Sequence, residues 1–201
     1  QTPGLGSAFD RNGNPLSLGR GQALQWSVNN HLLSVTLVHR TDARNDEEAY
    51  TYDAAGQRVQ KVRTTLAASR VHTRSVLYLP GLEIREDTAT GEQLNVITVQ
   101  TGLSGVRVLQ WDRSRINTEA DTQLRFSLAD LPGSTTLELD GHGQLITQES
   151  YYPFGATAWW AARTALQATY KTVRYAGKEQ DASGLYYYGF RYYAPWLQRW
   201  I

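Results

Sequence analysis

The chain has 201 residues, 20 of them basic and 19 acidic, a formal charge of +1, and no cysteine. A near-neutral chain without a Lys/Arg run lacks the electrostatic footprint of a nucleic-acid or anionic-membrane binder. The absence of cysteine removes disulfide scaffolds, thiolate-ligated zinc and thiol catalysis, and no apolar stretch approaches the roughly 18 residues of a membrane-spanning helix. The length suits one ordinary domain or two small ones. Twelve Tyr and six Trp pair apolar bodies with polar tips, which suits half-buried sheet faces better than a Leu/Ala helical core. The start, Gln1-Thr2-Pro3-Gly4, and the aromatic end, Trp200-Ile201, read as cuts from something longer.

In chain order, short β-branched or aromatic runs predict strands at Val35–Val38, Ser75–Leu79, Leu82–Arg85, Leu94–Val99 and Val106–Trp111. Asp87–Gly91 reads as a turn, and Gly102 and Gly105 mark a hairpin loop. Residues 70–111 therefore read as an antiparallel meander. One short helix is expected near 159–170, in the Ala-rich stretch from Trp159 to about Tyr170. The fold class is all-β.

A short pattern recurs: an aromatic or aliphatic residue, Asp, a few variable residues, then Gly. It appears as Phe9-Asp10-Arg11-Asn12-Gly13, as Tyr52-Asp53-Ala54-Ala55-Gly56, and in shortened form as Leu139-Asp140-Gly141-His142-Gly143. The chemistry is that of a tight turn. The carboxylate accepts backbone N–H bonds, and the glycine takes a positive φ. Repeated hairpins of this kind bury their faces only against neighbours, so a slice of such an array presents open edges.

Tyr52-Asp53-x-x-Gly56 resembles the YD repeat of the Rhs/YD superfamily. The C-terminal third resembles the Rhs-associated core, in Glu149-Ser150-Tyr151-Tyr152-Pro153-Phe154-Gly155, Tyr170-Lys171-Thr172-Val173-Arg174-Tyr175-Ala176-Gly177-Lys178-Glu179 and Gly184-Leu185-Tyr186-Tyr187-Tyr188-Gly189-Phe190-Arg191-Tyr192-Tyr193. Leu77–Glu83, Val106–Trp111, Ala158–Arg163 and Ala194-Pro195-Trp196-Leu197 are similar to the C subunit of the insecticidal Tc toxin complexes in particular. Type VI-secreted Rhs effectors have a related shell.

The resemblance implies a secreted, hollow, cocoon-like shell of β-hairpins. With a B subunit, and through it a pore-forming A subunit, that shell holds a toxic C-terminal polypeptide. Residues 1–120 would be YD-repeat shell and 121–201 the start of the core. The family's core is an aspartyl autoprotease, and its supporting arginine corresponds to Arg191. The catalytic aspartates would lie beyond Ile201, so the chain as given is expected to have no enzymatic activity. Two close carboxylates share a proton that a nearby guanidinium tunes, but an Arg between aromatic residues also commonly stacks on rings.

No other constellation carries chemistry. His31, His39, His72 and His142 fit no ligand spacing, Ser134 sits in a turn and lacks a nucleophile elbow, and Gly102-Leu103-Ser104-Gly105 is too short for a phosphate loop. Asp42, Asp46, Glu47 and Glu48 lack calcium-loop spacing and read as a solvated loop. No cofactor and no metal is expected. The aromatic wealth of residues 151–200 reads as cross-strand packing, with a carbohydrate-binding surface as the alternative.

Overall fold

The computed structural model describes residues 8–19, 21–102, 104–113 and 121–201. The proposed cut at Gln1–Gly4 lies outside them, as does Leu103 of the expected loop. Twelve strands form one antiparallel sheet in sequence order. The first six are β1 (Leu24–Trp26), β2 (Leu32–Val38), β3 (Asp46–Tyr52), β4 (Arg58–Ala67), β5 (Arg70–Leu79) and β6 (Leu82–Asp87). They continue as β7 (Glu92–Thr101), β8 (Ser104–Arg113), β9 (Thr122–Ala129), β10 (Thr135–Leu139), β11 (Leu145–Tyr151) and β12 (Thr157–Ala162). The expected meander is β5–β8. The division expected at residue 120 falls in the undescribed 114–120, and the strands flanking it pair directly, with Val108 opposite Leu124.

One turn builds much of the chain. Asp53 N–H donates to Gln57 O at 2.9 Å and Gly56 N–H returns to Asp53 O at 3.1 Å. The same closure joins Asp10 to Gly13 and Asn14, Asp130 to Gly133 and Ser134, Asp140 to Gly143 and Gln144, and Tyr152 to Gly155 and Ala156. It recurs after the large sheet ends, at Arg174–Lys178 and Asp181–Leu185. Each of these closures has a glycine with positive φ at its fourth position, where residues with a Cβ are strained.

Residues 163–201 form a roof over one face of the sheet. It comprises helix α1 (Ala165–Thr169), a single helical turn at Tyr175–Gly177 and a small sheet of β13 (Tyr186–Tyr187), β14 (Tyr192–Ala194) and β15 (Arg199–Trp200). Leu185, Tyr192 and Ala194 of the roof join Leu18, Leu24, Leu32, Val35 and Tyr50 in one core. Leu166 and Tyr170 cover Leu94, Val96, Leu109 and Trp111 in a second. The roof also ties the two ends of the sheet together. Tyr192 Oη meets Tyr52 Oη at 2.7 Å, while Tyr193 Oη donates to Phe154 O at 3.2 Å.

The helix is shorter than the sequence suggests. Trp159 and Trp160 pair with Ser150 and Glu149 as part of β12, and helix begins only after Thr164, whose hydroxyl caps Gln167 N–H. Large aromatic side chains and a neighbouring hairpin strand favour extension there, and tertiary pairing overrides the alanine content. On the opposite face, the cross-strand rows Leu79–Leu82–Ile97–Val108–Leu124 and Val99–Val106–Phe126–Leu139 contain no charged residue. Leu79, Ile97, Val99, Leu124 and Phe126 stay exposed there.

Candidate functional site

Between its two apolar cores, the roof meets the sheet through buried charge. Strand alternation places Lys61 of β4, Tyr78 of β5 and Arg85 of β6 on the roofed face, and a bulge between Gln60 and Arg58 turns Arg58 to the same side. From the roof, Glu179 and Asp181 descend among them. Asp181 receives Arg58 at 2.7 Å and Lys61 at 2.8 Å, and its side chain is fully buried. Glu179 receives Arg58 and Lys61 at 2.8 Å, Tyr78 Oη at 2.5 Å and Arg85 at 3.2 Å. The guanidinium of Arg58 also lies 4.1 Å from the centre of the Tyr187 ring. Burial opposes the charge on Glu179, but Lys61, Arg85 and Arg58 outweigh it and hold the carboxyl well below its ordinary range. Burial likewise opposes the charge on Lys61, and Asp181 and Glu179 lift it above the usual lysine value.

A second cluster has the signs reversed. Here the roof supplies cations and the sheet carboxylates. Glu149 of β11 receives Arg174 at 2.7 Å and Lys171 at 3.1 Å, and Tyr151 Oη and Thr157 Oγ1 complete its shell. Burial raises Glu149, but the Thr157 hydrogen bond and both cations bring it below the ordinary value. Deeper in, Glu138 of β10 pairs with Arg125 at 3.2 Å and Arg107 at 3.5 Å. Those arginines also donate to roof carbonyls, Arg125 to Gln167 O and Arg107 to Tyr170 O. Burial pulls Arg125 down to about 10, still protonated at neutral pH.

Chemically, this interface is a clasp. The roof presents Lys171 and Arg174, then Glu179 and Asp181, against carboxylates at β10–β11 and cations at β4–β6. Buried ion pairs contribute little net stability beside an apolar alternative, yet removing one partner costs roughly 3–5 kcal/mol.

The residues singled out from the sequence lie mostly apart from this clasp. Asp10 Oδ1 accepts from Asn12 N–H and Asn14 N–H at 2.8 Å, within the bridge that pairs Phe9 with Pro15 around Gly13. Asp53 accepts from Ala55 and Gln57 N–H, and Asp140 from His142 and Gln144 N–H, all at 2.9 Å. Tyr52 stacks on His31 and donates to Leu32 O, and Gly56 lies beneath the His31 and Phe190 rings. Arg191 is exposed, 4.5 Å from the centre of the Trp200 ring, and forms no salt bridge among the described residues. It lines a cavity of about 190 Å³ together with Asn30, His31, Tyr52 and Phe190.

The acidic run is corrected. Asp46, Glu47 and Glu48 belong to β3 rather than a solvated loop, with Asp46 bound to Arg40 and Glu48 buried under the roof. Alternation with Tyr50 and Tyr52 is the signal for that placement. No group of His, Asp or Glu among the described residues is arranged to hold a metal. Most C-terminal rings face other rings or cations, as Tyr188 and Tyr193 do against Trp200, and Arg174 against Trp160.

No protein-family model matches the chain. It is 44% identical over 197 residues to the toxin subunits YenC2 and YenC1 of Yersinia entomophaga, covering 96% of this chain and 20% of each relative. The chain thus spans about a fifth of the length of the curated relatives it matches. Its structure superposes on the crystal structure of TcdB2–TccC3 with a TM-score of 0.91 and 46% identity, over 96% of this chain and 10% of that one. Against a Photorhabdus luminescens Tc holotoxin pore the TM-score is 0.91 at 47% identity, over 96% of this chain and 9% of the other. Sequence and fold agree over nearly the whole segment: the chain belongs to the C subunits of the Tc toxin complexes.

Proposed function

We propose that this segment is part of the wall of a toxin shell that holds, and helps to release, a C-terminal toxic polypeptide. The single observation that carries the reading is the clasped wall itself. A continuous meander of like hairpins is closed on one face by its own roof, through two ion clusters of opposite polarity. The uncharged apolar rows on the other face support it, because a contiguous exposed band of that kind is usually covered in a larger assembly. The shell works outside the bacterial cell, with a B subunit completing it and a pore-forming A subunit receiving the payload. The wall has no catalytic role of its own. Coexpression of the parent chain with a B subunit tests the reading. The expected product is a hollow particle in which the payload resists protease. Failure to associate, or a payload cut as fast as the free polypeptide, overturns it.

A second reading has an observation of its own. The Arg191 guanidinium stacks on Trp200 at a cavity rim and joins no salt bridge among the described residues, an arrangement suited to supporting carboxylates of a self-cleaving core. Intact-mass measurement on the parent and on Arg191→Ala decides it. Cleavage in the parent that is lost in the variant supports the role, and an uncut parent or an unaffected variant removes it.

A further inference from the structure

We propose that the roof seats on the sheet with one proton held on Glu48, so that rising pH loosens residues 179–187 before the rest of the fold. The argument starts from counterions. Glu48 is 2% exposed, on β3 directly below the roof. Its carboxyl lies 2.9 Å from Tyr50 Oη, a hydroxyl able to accept the proton of a neutral Glu48, takes Ala182 N–H at a long 3.4 Å, and joins no salt bridge among the described residues. The nearby cations Arg58 and Lys61 are committed to Glu179 and Asp181, two charges against two.

An ionised Glu48 would add a third buried carboxylate beside the Arg58–Lys61 pairs, and Arg63, opposite it in register, makes no salt bridge with it. Burying an unpaired charge is far costlier than protonating the group. The groups facing Glu48 are few. Its own strand supplies Tyr50, and β4 supplies Arg58, Lys61 and Arg63, the last opposite it in register and in no salt bridge among the described residues. The roof adds Glu179, Asp181, Tyr187 and Tyr192. Burial and the charge of Asp181 both drive the Glu48 carboxyl upward, against the pull of Lys61, Tyr50 and Arg58.

The sign follows. A carboxyl whose folded value is raised contributes stability that is complete below its unfolded value and is lost as pH rises through the folded one. Above that point Glu48 ionises beside Asp181, and the contact through Ala182 belongs to the roof. The strain therefore falls on residues 179–187.

Hydrogen exchange on the full parent chain between pH 5 and 9 tests this, with rates corrected for intrinsic chemistry. The probes are the Leu185-side closure at Asp181 N–H and the Tyr187 N–H bond to Glu179 O, with β7–β8 amides as reference. Protection at the probes is expected to fall by up to about tenfold per pH unit above the opened-state value of Glu48, and to level off once Glu48 has ionised in the closed state, while the reference stays level. Glu48→Gln should remove the slope. A level response in the parent, an equal loss in β7–β8, or a slope kept in Glu48→Gln overturns the proposal. Should that variant fail to fold, the carbon-13 carboxyl shift of Glu48 in the parent decides. Ionisation already complete at pH 5 overturns the proposal, and titration above the surface glutamates supports it.

Discussion

Asp53 and Asp181 begin the same turn and use their carboxylates in opposite ways. Both close with the same pair of backbone bonds onto a glycine of positive φ. At the exposed β3–β4 corner, Asp53 spends its side chain on the turn itself, accepting from Ala55 and Gln57. At the roof, Asp181 turns inward to Arg58 and Lys61, and Ser183 Oγ takes a long contact from Leu185 N–H within the turn. The backbone closure and the glycine therefore define the hairpin, and the Asp is free to be recruited elsewhere. One repeat unit yields wall corners in one place and a clasp in another.

Removing the two carboxylates should separate these roles, and Asp181→Ala is the larger effect. It leaves Arg58 and Lys61 in the interior with Glu179 as the one carboxylate they still share, and loss of one partner from a buried pair costs roughly 3–5 kcal/mol. Urea unfolding of the parent chain followed by roof-segment exchange measures it. Asp181→Asn keeps the shape and should be nearly as costly, because the charge is what the cations lack. A loss below about 1 kcal/mol, the scale of a surface ion pair, would mean that the clasp is not what holds the roof.

The Tyr152–Ala156 turn tests the glycine half of the comparison. Gly155 has φ +86°, and a Cβ there would lie 2.6 Å from Cδ1 of Tyr175. That ring is fixed by its hydroxyl on Pro153 O and by packing on Tyr151 and Tyr186. Gly155→Ala adds left-handed strain of about 1–2 kcal/mol to overpacking of about 1–3 kcal/mol. Gly143, with φ +74° and open space around it, should show the backbone part alone. Equal losses at both sites would refute the close approach at Tyr175.

Acid should act on the clasp, and to a smaller extent on the corners at Asp10 and Asp140, whose carboxyls the turn hydrogen bonds hold below the ordinary value. Glu179 and Glu149 are both held below their ordinary value. Their contribution is present above the unfolded value of 4.5 and is lost as pH falls below it, through the folded values. Each unit of depression is about 1.4 kcal/mol. Glu179→Gln should flatten the acid limb of a pH–stability curve, and an unchanged limb would assign it to other carboxylates.

The sequence made the hairpin array legible because turns announce themselves. Asp10, Asp53 and Asp140 follow an apolar residue and precede a glycine, and alternation marks the strands between. The closures at Tyr152 and Arg174 escaped that pattern because they share only the glycine and the backbone bonds. The clasp was not legible either. Arg58, Lys61, Glu179 and Asp181 look like ordinary surface charges in sequence, and their partners lie more than a hundred residues away. Only the fold brings β4 under the roof. Glu48 was misread for the same reason, although its alternation with Tyr50 and Tyr52 held the clue.

The smallest effect sharpens the comparison most. Asp53→Ala removes two hydrogen bonds at an exposed corner, where water replaces the lost acceptor and the net cost of a bond is about 0.5–1.5 kcal/mol. The backbone closure and Gly56 remain, so the hairpin should form and the roof should keep its protection. A combined Asp53→Ala, Asp181→Ala chain should then lose the sum of the two single effects, because the sites share no partner. A loss well beyond the sum would show that the corner at Gly56, which lies beneath Phe190 of the roof, transmits strain to the clasp. In that case the two turns would act as one unit, and the division of labour between wall and clasp would fail.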